Sequence, residues 1–111
     1  MPAPVKTPAV VVVLVTCPNR RMGQSMAEAL VKEGLAACVN LIPGLTSTYR
    51  WQGKLCRGRE VLLLAKTRKA RFSKLADRIR ELHPLTVPEI LAIPVALGSP
   101  AYLSWVLDST R

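Results

Sequence analysis

The 111-residue sequence contains no apolar segment long enough to cross a membrane. The longest apolar run, from Ala9 to Val15, has seven residues, whereas a membrane-spanning helix needs about 20. The first eight residues, MPAPVKTP, contain three prolines and one lysine and lack the apolar region of a secretory signal. We therefore expect no membrane partner, a flexible N-terminal tail over residues 1–8, and one domain over residues 9–111.

Cysteine is scarce, and its spacing fits no known framework. Cys17, Cys38 and Cys56 are an odd number of thiols, with no CxxC pair and no zinc-finger spacing among them. A disulfide-stabilised fold is therefore not expected. Free thiols and the absence of an export signal together indicate a reducing, cytoplasmic environment.

The sequence also lacks the motifs of common catalytic and nucleic-acid-binding classes. Its six glycines are scattered rather than gathered in a phosphate-binding loop, and neither a paired-carboxylate motif nor a serine elbow is present. We therefore predict a protein that is not an enzyme and has no organic cofactor. The two most apolar strands, AVVVVLV and EVLLLAK, contain no aromatic residue on which RNA bases would stack. No nucleic-acid partner is therefore expected.

Positively charged residues outnumber negatively charged ones. Sixteen Lys and Arg residues face seven Asp and Glu residues, which gives a net charge of +9. Three explanations are open at this point: a nucleic-acid partner, an anionic small ligand, or a basic surface that only maintains solubility.

The hydrophobic pattern predicts the element order β-α-β-β-α-β-α. Strands are predicted at 9–15, from 35 to the Gln52-Gly53 hairpin turn, at 60–66 and at 90–97, and helices at 20–33, at 70–82 and after Ser99-Pro100. Two β-α-β units around a hairpin form an α+β ferredoxin-like sandwich with an antiparallel sheet in the order 4-1-3-2. Pro43 and Pro94 fall in the two predicted edge strands, which agrees with this order.

The predicted topology brings together the loop after strand one and the loop before strand four. The first contains Cys17, and the second lies between His83 and Glu89. Thiolate, imidazole and carboxylate can together bind Cu or Zn. Each residue also has a structural explanation, because Cys17 can be a packed core residue, His83 can end a helix, and Glu89 can accept hydrogen bonds from the backbone.

Two further groups of residues are candidates for contacts. Arg20 and Arg21 lie at the predicted N-terminus of helix one, where free N–H groups favour an anion. Tyr49 and Trp51 flank the hairpin turn, and exposed aromatic residues there are typical of a subunit interface. Trp105, on the last helix, is expected in the core.

Several segments have a combined resemblance to one family. They are VTCPN (15–19), EGLAACVNLIPGLTSTYRWQGK (33–54), EVLLLAKTR (60–68), HPLTVPEILAIPV (83–95) and YLSWV (102–106). This set resembles the CutA family of divalent-cation tolerance proteins over about residues 10–108. The resemblance implies a homotrimer similar in architecture to the PII signalling proteins, a cytoplasmic location in bacteria, and a connection with copper and other divalent metals.

The family's positions transfer to this chain residue by residue. Cys17 falls on the family's TCP position, and His83 and Glu89 fall on its HP…PE positions. Lys66 and Trp51 fall on its strand-three lysine and hairpin tryptophan, which line a cleft between subunits. One departure is that Leu85-Thr86 stand where the family usually has Tyr-Glu, so this loop lacks a tyrosine and a carboxylate that the family places at the cleft.

Two functions follow as predictions. In the first, a trimeric, non-enzymatic divalent-cation tolerance protein reversibly binds Cu(II), or alternatively Zn(II), through Cys17, His83 and Glu89. In the second, a PII-like sensor binds an anionic small molecule or nucleotide between subunits through Arg20, Arg21 and Lys66, beside Trp51.

Overall fold

The computed structural model describes residues 9–111, and it confirms the predicted element order. The predicted flexible tail, residues 1–8, lies outside the described residues. The elements in chain order are β1 (Val10–Cys17), α1 (Arg20–Lys32), β2 (Cys38–Trp51), β3 (Lys54–Arg68), a short 3₁₀ turn (Lys69–Arg71), α2 (Phe72–Leu82), β4 (Ile90–Pro94) and α3 (Pro100–Ser109).

One four-stranded antiparallel sheet organises the fold, with the order β2-β3-β1-β4. This is the predicted order, with the two proline-containing strands at the edges. The register of β2 against β3 shifts between Ile42 and Leu45, because Pro43 cannot donate a ladder hydrogen bond and Gly44 adopts a φ of 78°. Strand β4 ends at Pro94 and is shorter than predicted.

The helices begin and end at residues that the sequence marks. Asn19 caps α1, because its side-chain oxygen accepts a hydrogen bond from the Met22 amide at 2.9 Å. Gly34 follows the helix with a φ of 71°, a conformation that glycine adopts without strain. Helix α2 ends before His83, since Pro84 disfavours helical backbone in the preceding residue.

The main core lies between one face of the sheet and the helices α1 and α2. Alternate residues of the central strands point to this face and are fully buried, among them Val13, Val15 and Leu63. Leu30 of α1 and Ile79 of α2 pack against them. In the continuous apolar runs of β1 and β3, every second side chain therefore lies in the core. The apolar side chains between them lie on the other face of the sheet.

That other face, which we call the open face, is covered at one end only. Leu103 and Val106 of α3 pack on Val10 there. The prediction that Trp105 lies in the core is wrong, because Leu103 and Val106 occupy the buried side of α3. Trp105 is 46% exposed and packs against Tyr102, with the ring centroids 5.6 Å apart.

Strands β2 and β3 continue beyond the sheet as a two-stranded ribbon, formed by residues 45–51 and 54–60. Strand β1 pairs with β3 only as far as Val61, so the ribbon has no third strand. The predicted start of strand three at Glu60 is therefore wrong, since the basic stretch from Cys56 to Arg59 belongs to the strand. The ribbon contributes to an elongated shape of 54 × 26 × 23 Å.

Within residues 9–111, none of the helices combines the length and the hydropathy that a bilayer-spanning segment requires.

Gly23 sets how closely α1 approaches the sheet, and this generates a stability prediction. A Cβ atom at Gly23 would lie 2.9 Å from Val61 Cγ2 and 3.0 Å from Leu41 Cδ1. Gly23→Ala should therefore lower the free energy of unfolding by up to about 2 kcal/mol, because overpacking costs about 1–3 kcal/mol and the gain in helix propensity offsets about 1 kcal/mol. Urea unfolding at fixed protein concentration measures the change.

Gly58→Ala is the matched control, since a Cβ there meets nothing within 4 Å. Its unfolding free energy should stay within about 0.5 kcal/mol of the wild-type value. A Gly23→Ala protein more stable than wild type by about 1 kcal/mol, the full gain in helix propensity, would contradict the close packing of α1.

Candidate functional site

The termini of three elements lie at one end of the sheet, as the topology predicts. Cys17 is the last residue of β1, His83 follows α2 directly, and Glu89 precedes β4. The ring of His83 contacts the backbone carbonyl of Thr16, next to Cys17. His83 thus lies beside the end of β1, and Glu89 borders the same cleft as Thr16, although Cys17 and Glu89 are 72 positions apart in sequence.

Both ring nitrogens of His83 are hydrogen-bonded to the backbone. The Leu85 amide donates to Nδ1 at 3.1 Å, so the ring proton is on Nε2, which donates to the Thr16 carbonyl oxygen at 2.8 Å. The side chain is only 7% exposed. His83 therefore connects the loop after α2 to the end of β1, and metal ligation by either nitrogen would break one of these bonds.

The Cys17 thiol faces the main core rather than the surface. Its side chain is fully buried, in the same apolar cluster as Met26 and Val61. Burial raises the pKa of the thiol from 9.0 to about 11, with a smaller contribution from the negative charge of Glu60. Because the thiolate is the form that binds metal, a protonated Cys17 is a poor ligand at neutral pH.

Glu89 is exposed and borders an open cleft of about 530 Å³. The walls of this cleft come from the end of β1, the ribbon and the loop before β4. It is lined by Thr16, Pro18, Tyr49, Trp51, Gly58, Arg59, Glu60, Leu85, Thr86, Val87 and Glu89. Its two carboxylates, Glu60 and Glu89, form no ion pair within residues 9–111.

The single chain does not assemble a metal centre from the predicted residues. In the described part of the chain there is no group of three or more His, Cys, Asp and Glu side chains that could hold a metal ion. The Cys17 side chain is buried in the core, and both ring nitrogens of His83 are hydrogen-bonded to the backbone. Cys17, His83 and Glu89 therefore do not fit a metal ion within one chain. Their role as ligands stays a prediction.

The residues predicted for the anion site do not share a cleft within one chain. Trp51 lines the cleft described above, whereas Arg21 borders a separate hollow of about 420 Å³ beside Met22 and Leu82. Lys66 pairs with Val12 and Cys38, six residues from Glu60 along β3, which corresponds to about 20 Å. Arg20, at the start of α1, is exposed and lines neither space.

Sequence reasoning did not identify Glu60 as a residue of the cleft. The available signal was its position, since it lies two residues before Leu62 on the same side of β3. The predicted strand over 60–66 contains both residues, but it stops short of the ribbon that forms the wall of the cleft beside Glu60.

Comparison with known proteins identifies close relatives of this chain. Residues 11–109 match the sequence model of the family described as CutA1 divalent ion tolerance protein. The divalent-cation tolerance protein CutA of Thermus thermophilus is 52% identical over 99 residues, which cover 89% of this chain and 96% of that protein. Protein CutA, chloroplastic, of Arabidopsis thaliana is 44% identical over 96% of this chain, which spans 58% of that protein.

Solved structures show the same fold. The divalent cation tolerance protein (Cut A1) of Thermus thermophilus superposes with a TM-score of 0.90 at 51% sequence identity, covering 92% of this chain and 99% of that chain.

The hydrogen bonds of His83 predict a structural role that is measurable without metal. His83→Ala would leave the buried Thr16 carbonyl unpaired, which costs about 1–3 kcal/mol, whereas the amide of the exposed Leu85 can bind water. We expect the free energy of unfolding of the chelator-treated protein to fall by about 1–3 kcal/mol in a urea titration.

The neighbouring Arg80→Ala is the control, because its ion pair with Asp77 is exposed and contributes less than about 1 kcal/mol. Unchanged stability of metal-free His83→Ala would instead indicate that the imidazole is available for a ligand.

Proposed function

The chain belongs to the CutA1 family of divalent ion tolerance proteins, and on this premise we propose that it is a non-enzymatic, trimeric protein that binds Cu(II) or another divalent cation. The observation that carries this proposal is the pair of carboxylates in the cleft, Glu60 and Glu89, which have no cationic partner among the described residues. The cation is a reversibly bound ligand, and the location that we propose for its capture is the cytoplasm.

The open face of the sheet supports assembly with further copies. Leu91 and Ile93 of β4 are 56% and 51% exposed, and Ile42 of β2 is similarly exposed. Between them lie the half-buried Leu62 and Leu64 of β3. An apolar surface of this extent is unusual on a monomer and typical of a subunit interface.

The ribbon supports assembly in a second way. Residues 54–60 hydrogen-bond only to β2, so both long edges of the ribbon have backbone N–H and C=O groups without a strand partner. Exposed edges readily pair with another chain. Tyr49 and Trp51 are exposed on the side of the ribbon that borders the cleft, where a neighbouring copy would cover them.

Assembly would also complete the cation site. Two carboxylates are too few ligands for firm binding of Cu(II) or Zn(II), which usually take three or four protein ligands. A second chain against the ribbon would bring further donors to the cleft wall. We therefore place the cation at Glu60 and Glu89, with Cys17 and His83 supporting this end of the sheet.

The alternative of an anionic ligand is weaker on two grounds. Its four predicted residues, Arg20, Arg21, Lys66 and Trp51, are dispersed within one chain. The cleft also has two carboxylates against one cation, Arg59, and this net negative charge would repel an anion.

Assembly predicts a mass about three times the 12.1 kDa of one chain. Leu91→Glu should reduce that mass to the monomer value, because it places a charge in the proposed apolar interface. Size-exclusion chromatography with light scattering measures this.

Val31→Glu is the matched control, since Val31 is exposed on α1, which packs on the opposite face of the sheet. This variant should keep the wild-type mass. A monomeric wild type, or a Leu91→Glu protein with an unchanged mass, would contradict the proposed interface.

Cation binding at the cleft predicts a specific loss in calorimetric titrations with Cu(II) and Zn(II). The wild type should give a saturable isotherm. Glu60→Gln and Glu89→Gln should each weaken binding about 10-fold, corresponding to about 1.4 kcal/mol, because each removes a charged oxygen ligand.

Glu28→Gln is the control, because this exposed carboxylate on α1 lies away from the cleft and should leave the isotherm unchanged. Equal weakening by all three substitutions would indicate a general charge effect rather than a cation site.

A further inference from the structure

The two faces of the ribbon differ sharply in charge. One face has only exposed residues, which are Thr46, Thr48, Arg50, Leu55, Arg57 and Arg59, and of these Arg59 alone also borders the cleft. The opposite face has Leu45, Ser47, Tyr49, Trp51, Lys54, Cys56, Gly58 and Glu60, so its one lysine and one glutamate balance in charge. The alternation of side chains along both strands produces this separation, and we call the first surface the basic face.

We propose that the basic face binds the phosphate backbone of a nucleic-acid duplex. Its arginines have no carboxylate partner within residues 9–111, where the four ion pairs join residues on or next to the helices. Five of the seven acidic residues lie on or next to the helices, and Glu60 and Glu89 lie at the cleft. The basic face is therefore a site of uncompensated positive charge, and phosphate is the complementary partner.

The arrangement of donors fits a phosphodiester chain. Arg57 and Arg59 are two residues apart on one strand, or about 6.7 Å, which is about twice the axial spacing of phosphates along one strand of a duplex. Thr46 pairs with Arg59 and Thr48 pairs with Arg57, so each of these two arginines has a threonine as its cross-strand neighbour. Arginine and threonine are among the usual donors to phosphate oxygens, and no carboxylate lies on this face.

A duplex fits this surface better than a single strand or a bilayer. Single-stranded binding requires aromatic residues beside the cations, but Tyr49 and Trp51 are on the other face of the ribbon. Bilayer docking requires apolar side chains on the basic surface, where Leu55 alone is apolar, at 77% exposure. A two-stranded ribbon has a width that the major groove of a duplex accepts.

This surface is separate from the one that the proposed assembly uses. The aromatic face and the open face of the sheet would be covered by neighbouring copies, while the basic face, apart from Arg59, lies outside the cleft. The expectation of no nucleic-acid partner rests on the central strands, which lack residues that stack on bases, whereas the duplex contacts proposed here come from the ribbon.

Fluorescence anisotropy with a labelled 20-base-pair DNA duplex tests the proposal, using the full chain at about 50–200 mM NaCl. The wild type should bind with an affinity that falls steeply with salt. Arg50→Gln/Arg57→Gln should weaken binding at least about 10-fold at about 100 mM salt and reduce the log–log salt slope by about 2, or 0.9 for each phosphate contact.

Lys69→Gln/Lys74→Gln removes the same charge from exposed positions on the 3₁₀ turn and α2. It should keep the affinity within about 3-fold of wild type. Thermal melts of both variants establish that the exposed substitutions leave the fold intact, and Arg57→Lys should keep most of the salt slope because it retains the charge.

Three results would overturn the proposal. The first is no duplex binding by the wild type at low salt. The second is an equal loss in both double variants, which would indicate attraction by net charge alone. The third is a preference for single-stranded DNA, or for vesicles containing phosphatidylserine, over the duplex.

Discussion

The pairing of β1 with β3 determines where every other element can lie. The two strands are hydrogen-bonded without interruption from Val10 opposite Arg68 to Cys17 opposite Val61. Because β1 turns away at Pro18 while β3 extends back to Lys54, the first part of β3 has only β2 as a partner. The ribbon, the cleft beside it and the unpaired edges all follow from this difference in strand length.

Much of the fold was predictable because local and long-range signals agree. Continuous apolar runs identify β1 and β3 as central strands, and proline excludes β2 and β4 from the centre of the sheet. Helix boundaries follow from Asn19, Gly34 and Pro84. The extent of β3 was not predictable in the same way, since a basic stretch resembles a loop when its pairing partner is unknown. Cross-strand hydrogen bonding, rather than the apolar pattern, keeps residues 54–60 extended.

The candidate site was predictable in position but not in orientation. Topology alone places Cys17, His83 and Glu89 at one end of the sheet. Cys17 has the same alternation phase as Val13 and Val15, which directs its thiol into the core. His83 is held by two backbone groups, and no sequence pattern reveals such bonds. The residue types therefore predict a metal site at Cys17, His83 and Glu89, whereas the geometry favours the two carboxylates of the cleft, Glu60 and Glu89, as cation ligands.

The register shift between Ile42 and Leu45 is a β-bulge in β2, and it determines which side chains lie on each face of the ribbon. Ile42 lies opposite Leu62, and Leu45 lies opposite Glu60. Between these two pairs β2 therefore advances by three residues while β3 advances by two. This extra residue reverses which residues of β2 face the cleft. Without it, Thr48 and Arg50 would face the cleft, and Tyr49 and Trp51 would take the outer side.

One conformational irregularity, at Pro43 and Gly44, thus decides which face of the ribbon is aromatic and which is basic. The same residues prevent a neighbouring strand from continuing the ladder past this point, because Pro43 has no N–H to donate. Contacts along the aromatic face and contacts along the basic face can consequently be made at the same time, since the two faces present different side chains of the ribbon.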